Sequence, residues 1–251
     1  MKSFVTALIG ALVCVSPALA GEQEDCAVAA HLVTADYPLP RVARAIAQKE
    51  LKVVVVGSAS SLLAGPGGKQ EAAYPARLET ALGKRLPGVK VTVTTFAKPR
   101  TTADSMEEDL EHLVHSEKPA VVIWQTGTVD AIRSIHPDDF RNAVDEGITA
   151  VKTAGADAVL MNLQFSPRME TMLPTTPYLD NIRAVAQQQD VPLFDRYAIM
   201  QKWNETGVFD LSNSSRSFAL ARSVHDCLGR ALTNLVMAAA KLDGAEAKVQ
   251  H

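Results

Sequence analysis

The sequence lacks several features that would assign it to a particular class of protein. It has three cysteines and no H-E-x-x-H motif, and Cys26 and Cys227 stand near opposite ends, so no metal site is indicated. Basic residues are not in excess, since 25 of them face 28 acidic residues, and no basic patch is present. Nucleic acids and anionic membrane surfaces are therefore not expected partners, and no cofactor is expected.

Long apolar runs are missing except at the N-terminus, where residues 4–15 are too few to span a bilayer. Lys2 precedes this run, and the small-residue site Ala18-Leu19-Ala20 follows it. This pattern predicts a secretory signal peptide over residues 1–20 with cleavage after Ala20. Because Lys2 is its one charged residue, cleavage takes the net charge from −3 to −4. We expect a secreted or periplasmic protein with no transmembrane segment in the mature chain.

Cys26 and Cys227 are the cysteines left in the mature chain. Two cysteines in an exported protein, one near each end, favour a disulfide. In the chain-entropy model such a bridge stabilises the fold by at most about 5 kcal/mol. Two separate buried thiols are the alternative.

Apolar runs rich in β-branched residues alternate with segments of helical periodicity. Strands are predicted at 52–56, 89–93, 120–124, 158–161 and 191–194, and helices at about 41–49, 74–86, 106–114, 137–153, 178–189 and 217–242. This order indicates βαβ units with a parallel sheet between two helical layers. We predict a three-layer α/β/α sandwich whose five parallel strands follow the flavodoxin-like order 2-1-3-4-5. Without repeats, low-complexity tracts or long linkers, residues 21–251 are expected to form one domain.

Ligands of such sheets bind outside the carboxyl ends of the strands, so the loops after Val56, Val93, Trp124 and Met161 are the informative ones. Their sequences resemble those of the SGNH (GDSL-type) hydrolases. The blocks that carry the resemblance are VVVVGSAS (53–60), YPARLETAL (74–82), PAVVIWQTGTVD (119–130), AGADAVLMNLQFSP (154–167), VPLFDRYAIM (191–200) and HDCLGRAL (225–232).

The resemblance implies an ester hydrolase in which a serine after the first strand attacks and a late histidine, oriented by an aspartate, serves as its base. A glycine after the second strand and the asparagine of GTND would help to bind the oxyanion. In this chain most of these positions are replaced. Alignment of the blocks places Ala59 at the nucleophile, Arg100 at the oxyanion glycine, Val129 at the asparagine, Arg216 at the aspartate and Ala219 at the histidine.

Two readings of the remaining polar residues stay open. In one, the register slips, and Ser58 or Ser60 attacks with His225 as a replacement base. In the other, the serines fit a tight turn and cap the next helix, and His225 is a packed or surface residue. His225 and Asp226 are neighbours on a predicted helix and do not face each other, so Asp226 is poorly placed to orient the imidazole.

Arg100 and Arg216 would bring two guanidinium groups into the old cleft beside Gly127 and Thr128, which suits a carboxylate or a phosphate. Two surface arginines paired with nearby acids are the alternative. We therefore expect a degenerate site with a binding or accessory role in the cell envelope, for an unknown small molecule, a glycan or an anionic ligand. An active esterase, deacetylase or lipase-like enzyme with a relocated Ser/His pair is the competing hypothesis.

Overall fold

The computed structural model describes residues 26–212 and 217–241, so the predicted signal peptide and Arg216 lie outside the described residues. Its sheet is parallel throughout and has the strand order β2-β1-β3-β4-β5, as predicted. The strands are β1 (Glu50–Gly57), β2 (Lys90–Ala97), β3 (Val121–Gln125), β4 (Asp157–Met161) and β5 (Leu193–Phe194). Every residue of β3 and β4 is buried, as expected of strands covered on both faces.

The helices begin and end close to the predicted positions in most cases. They are α1 (Pro40–Ala47), α2 (Tyr74–Arg85), α3 (Ala103–Glu117), α4 (Thr128–Arg133), α5 (Pro137–Thr153), α6 (Pro167–Met172), α7 (Thr176–Gln188), α8 (Arg196–Glu205) and α9 (Phe218–Ala239). Proline occupies the first turn of five of them, α1, α2, α5, α6 and α7, where its missing N–H costs no hydrogen bond.

The strand order distributes the helices between the two faces of the sheet. The chain moves in one direction from β1 through α2 to β2, and in the other direction through α3, α5 and α7. Since right-handed crossovers in opposite directions fall on opposite faces, α2 lies on one face and the other three lie on the second. Helix α9 packs on α2, while α3, α5 and α7 pack side by side. The predicted α/β fold is confirmed.

One strand and three helices differ from the prediction. Strand β2 continues to Ala97 rather than ending near residue 93, because the threonines that extend it suit an edge strand. Helices α4 and α6 were not predicted, and neither was α8. Its buried face begins with a charged residue, Arg196, beside Tyr197, Ile199 and Trp203. A search for apolar periodicity misses this helix because the first residue of its buried face is charged.

The start of the described chain is fastened to the last two helices. Cys26 and Cys227 form the predicted disulfide. Trp203 Nε1 donates to the carbonyl of Ala27 at 3.0 Å, and the amide of Leu39 donates to the carbonyl of Ala239 at 3.0 Å. The lead-in segment therefore runs beside α9 before the chain enters α1. Among the helices described here, none combines the length and apolar composition needed to cross a bilayer.

Candidate functional site

A cluster of hydroxyl groups lies where β1 and β3 end. Three serines surround the side chain of Gln125, the last residue of β3. Its Oε1 atom accepts from the hydroxyls of Ser60 at 2.9 Å, Ser61 at 3.0 Å and Ser58 at 3.3 Å, and from the backbone N–H of Ser58 at 3.1 Å. A backbone N–H can only donate, so this contact fixes which atom of the amide is oxygen. All three hydroxyls thus lie within hydrogen-bond distance of one amide oxygen.

Gly57 makes this close approach possible. A Cβ atom built there would come within 2.2 Å of Ser61 Oγ and 2.9 Å of Gln125 Oε1. The turn that follows is the 3-10 helix Ala59–Ser61, and Ser58 before it makes no side-chain capping bond. The tight turn was predicted, but the expectation that the serines cap the next helix was wrong, because their hydroxyls bind Gln125 instead.

Arg196, the first residue of α8, places a guanidinium group beneath this turn. The residue is 1% exposed, and its Nη1 donates to Ser60 Oγ at 3.2 Å. Its Nε and Nη2 atoms are buried and have no hydrogen-bond partner in the described part of the chain. Burial lowers the pKa of Arg196 to about 10, partly offset by the nearby Tyr74 hydroxyl, so the side chain stays charged at neutral pH.

Helices α2 and α9 bring Tyr74 and His225 to the same cluster. The Tyr74 hydroxyl lies 2.9 Å from Ser61 Oγ, and the Tyr74 backbone N–H donates to His225 Nδ1 at 2.9 Å. Because Nδ1 accepts this bond, the neutral imidazole carries its proton on Nε2. Burial, followed by the positive charge of Arg196, lowers the pKa of His225 to about 4. At neutral pH this histidine is an uncharged partner of a helix N-terminus.

The neighbouring Asp226 faces away from this contact. Its carboxylate pairs with Arg230 at 3.0 Å and lies 3.9 Å from Arg77 Nε. No hydrogen bond joins His225 to a serine in residues 26–212 and 217–241. The structure therefore brings Ser58, Ser60 and His225 to one region without linking them as nucleophile and base.

A cleft of about 360 Å³ borders Gly57 between β2 and α3. Its walls are largely apolar and include Phe96, Met106 and Leu113. Neither the three serines nor Arg196 line it, so this cleft does not open onto the hydroxyl cluster. Within the described ranges, no group of three or more His, Cys, Asp or Glu side chains is arranged to hold a metal ion.

The sequence model of the non-GDSL lipase-like family matches residues 25–242. The protein belongs to this family. The resemblance to SGNH hydrolases is thereby confirmed, and the family description fits a first block that reads Gly57-Ser58-Ala59-Ser60 rather than G-D-S-L. No curated protein sequence matches the chain.

Solved structures of SGNH-type enzymes share the fold of this non-GDSL lipase-like protein. TesA is 21% identical, with a TM-score of 0.57 over 72% of this chain and 97% of its own. A variant of Axe2, an acetyl-xylooligosaccharide esterase from Geobacillus, is 17% identical, with a TM-score of 0.57 over 72% and 91%. AlinE4, an SGNH-hydrolase family esterase, is 18% identical, with a TM-score of 0.53 over 67% and 85%. At these identities the likeness shows the fold alone.

The two alanines aligned with the nucleophile and the base of SGNH enzymes both face solvent in this non-GDSL lipase-like chain. Ala59 is exposed in the turn after β1, and Ala219 is exposed in the first turn of α9. Neither side chain can accept or donate a proton. The fallback residues Ser58 and Ser60 flank Ala59, and Ser60 is partly exposed whereas Ser58 is buried.

The G-T-V-D segment retains its shape but uses its polar groups internally. Gly127 has a φ of 93°, and a Cβ there would lie 2.5 Å from Leu163 Cδ1. Thr128 Oγ1 accepts from the backbone N–H of Gln164 at 3.3 Å. Val129, partly buried on α4, supplies no donor where SGNH enzymes place asparagine. The buried Asp130 accepts from the Gly127 N–H at 3.2 Å, which stabilises this loop.

Arg100 follows β2 on an exposed turn with a φ of 66°, in the left-handed region that favours glycine. This backbone shape agrees with an alignment in which relatives carry glycine at the same position. No hydrogen bond or ion pair of Arg100 is found among the described residues. Arg216 lies outside those residues, so the placement of both guanidinium groups in one cleft stays a prediction.

Sequence reasoning missed Arg196, Gln125 and Tyr74 as members of the cluster. Each stands within a block that carries the family resemblance, but periodicity assigned Tyr74 to a helix core and gave the other two no role. For Gln125 and Arg196, the sequence signal that could have identified them is their position at the carboxyl end of a predicted strand. Gln125 is a polar residue that ends a fully buried strand, and Arg196 lies two residues after Phe194 at the end of β5.

Proposed function

We propose that this protein is a secreted or periplasmic binding domain, in which residues 21–251 form one SGNH-type unit that no longer hydrolyses esters. One observation carries the proposal: the three serine hydroxyls at the end of β1 donate to the amide oxygen of Gln125, and none contacts a base within residues 26–212 and 217–241. A serine nucleophile must pass its proton to an acceptor such as imidazole or carboxylate. An amide oxygen is far too weak a base to serve.

The histidine of this cluster, His225, makes its hydrogen bond to the backbone rather than to a serine. His225 Nδ1 holds the first N–H of α2, and Ala59 and Ala219 occupy the positions where the resemblance would place nucleophile and base. Loss of both partners of a catalytic unit removes nearly all of its rate enhancement. The signal-peptide pattern and the Cys26–Cys227 disulfide support a location in the cell envelope, where a glycan or an anionic molecule would be the ligand.

A second candidate function is ester hydrolysis with Ser60 as the nucleophile. It is favoured by the partial exposure of Ser60 and by the hydrogen bond from Arg196 Nη1, which would stabilise an alkoxide at Ser60 Oγ. The structure offers this serine no base among the described residues, which is why binding is the preferred function.

The first test is hydrolysis of p-nitrophenyl acetate, p-nitrophenyl butyrate and an acetylated sugar by the purified mature protein. An active SGNH-family esterase serves as the positive control. We expect rates equal to buffer for the wild type and for the Ser58→Ala, Ser60→Ala and His225→Asn variants. Hydrolysis above buffer that disappears in Ser60→Ala would overturn the proposal in favour of the second candidate.

A further inference from the structure

The hydroxyl cluster contains more hydrogen-bond donors than acceptors. Ser60 Oγ and Gln125 Oε1 are its central acceptors, and both are already occupied. Three buried nitrogen atoms remain without partners within the described residues: Nε and Nη2 of Arg196 and Nε2 of Gln125. Buried donors are nearly always satisfied, so this surplus calls for a group rich in acceptors.

The Arg196 charge makes the imbalance sharper. No carboxylate of the described chain forms an ion pair with it, whereas the partly exposed Arg41 pairs with Asp157 at 3.3 Å. The titratable group that acts on the pKa of Arg196 is Tyr74, and burial raises the pKa of Tyr74, so its hydroxyl is neutral at neutral pH and is no counterion. Burying an arginine at 1% exposure without a counterion costs folding free energy. Buried ionisable groups with a shifted pKa are concentrated at functional sites.

The geometry of the free atoms identifies the chemistry they fit. Nη1 is used by Ser60, which leaves Nε–H and one Nη2–H on the same edge of the guanidinium plane. These two N–H groups are parallel and match the two oxygens of a carboxylate in a bidentate pair. The Ser60 hydroxyl that accepts from Arg196 also donates to Gln125 Oε1. The Nε2 atom of the same amide group therefore adds a third donor nearby.

Ser60 marks the route from solvent to this edge. Its hydroxyl contacts the guanidinium, while the residue itself is partly exposed and its neighbour Ala59 is exposed. One residue of the 3-10 turn Ala59–Ser61 therefore separates Arg196 from solvent at this point. A ligand reaches the guanidinium by displacing the Ser60 side chain, which is held by two hydrogen bonds.

We propose that Arg196 is the anchor of a binding site for the carboxylate of a small acidic ligand, with Ser60 and Gln125 completing the site. The inference rests on the proposed binding function and narrows it to one ligand class. It also moves the anion-binding role from Arg100 and Arg216 to a residue that sequence analysis did not select. The carboxylate can come from an acidic sugar or from a peptide, and the experiment separates these sources.

The test is calorimetric titration of the purified mature protein at fixed ionic strength. The probes are sodium glucuronate against glucose, and N-acetylglycine against its amide. We expect saturable binding of at least one carboxylate and none of its neutral partner. Arg196→Lys keeps the charge but loses the fork, and we expect its affinity to fall at least tenfold. Arg196→Met should abolish binding, and Arg85→Gln, on an exposed arginine, should leave it unchanged.

Thermal unfolding of the same variants guards against misfolding. Because Arg196→Met removes an unpaired buried charge, its melting temperature without ligand should equal or exceed that of the wild type. Binding of neither carboxylate, unchanged binding by Arg196→Met, or an equal response to glucose 6-phosphate would overturn the assignment. Ester hydrolysis would overturn the proposed function and leave this site standing, whereas background ester rates without carboxylate binding would reject the site alone.

Discussion

His225 shows how one residue can be removed from catalysis by the bond it makes. Its Nδ1 atom accepts the first N–H of α2, one of the four that a helix leaves without an internal partner. Arg196 adds a positive charge nearby, and both burial and that charge oppose protonation of the imidazole. The histidine therefore stabilises the junction of α2 and α9 in its neutral form, which makes stability depend on pH.

We expect the free energy of unfolding to fall as the pH drops from about 6.5 to about 4. The pKa of His225 is lowered to about 4 in the folded state, so between these values the unfolded state binds more protons and folding loses up to about 3 kcal/mol. His225→Asn keeps an acceptor near the position of Nδ1 but has no titrating ring. Its free energy of unfolding should therefore fall less than that of the wild type over this pH range. Urea unfolding at pH 7 and pH 4.5 measures the free energy of unfolding of the wild type and the variant. An equal loss between the two pH values in both proteins would contradict the assignment.

Residue-level chemistry of the site was only partly predictable from sequence. The replaced positions Ala59, Val129 and Ala219 could be found by alignment, because each follows a recognisable strand or precedes a recognisable helix motif. Arg196 and Gln125 could not, since their roles depend on contacts between β1, β3 and α8 that no local pattern contains. A sequence pattern treats a charged side chain as solvated, and this cluster is the exception.

At the scale of elements, α2 and α9 pack closely because Gly229 has no side chain. A Cβ at Gly229 would lie 2.6 Å from Arg77 Cβ and 2.9 Å from the Arg77 backbone carbon, on the facing helix. The same pair of helices carries Tyr74 and His225. Strands and most helices were predictable from β-branched runs and apolar periodicity, but this helix contact depends on a glycine whose meaning only the packed structure reveals.

Gly229→Ala is expected to destabilise the fold by about 1–3 kcal/mol, because the new methyl group meets backbone atoms that cannot move cheaply. The control is Gly83→Ala on α2, where a new Cβ meets nothing within 4 Å. There the better helix propensity of alanine should stabilise the protein by up to about 1 kcal/mol. Urea unfolding of the two variants should give opposite signs, and a shared sign would refute the packing argument.

At the scale of the whole molecule, one covalent bond joins the first described residue to the last helix. The disulfide spans a sequence separation of 201 residues, and Trp203 and Leu39 add hydrogen bonds along the same lead-in segment. A crosslink of this span restricts nearly the whole unfolded chain, so its stabilising effect approaches the upper limit of the chain-entropy model.

Reduction of Cys26–Cys227 should lower the free energy of unfolding by up to about 5 kcal/mol. The measurement is urea unfolding with and without a phosphine reductant, compared with a Cys26→Ala, Cys227→Ala variant. We expect the reductant to shift the wild type towards the double variant and to leave that variant unchanged. An identical unfolding midpoint for oxidised and reduced wild type would show that the bond adds nothing.

The same bond determines how the molecule carries mechanical load. Tension applied between the two ends of the chain passes from Cys26 directly into α9 through the sulfur atoms, and the sheet lies in a closed loop outside that path. Only the stretch of α9 beyond Cys227 and the segments outside the loop can lengthen while the bond is intact. A protein tethered to an envelope by one end and pulled by the other would therefore keep its hydroxyl cluster undistorted until a reductant opened the loop.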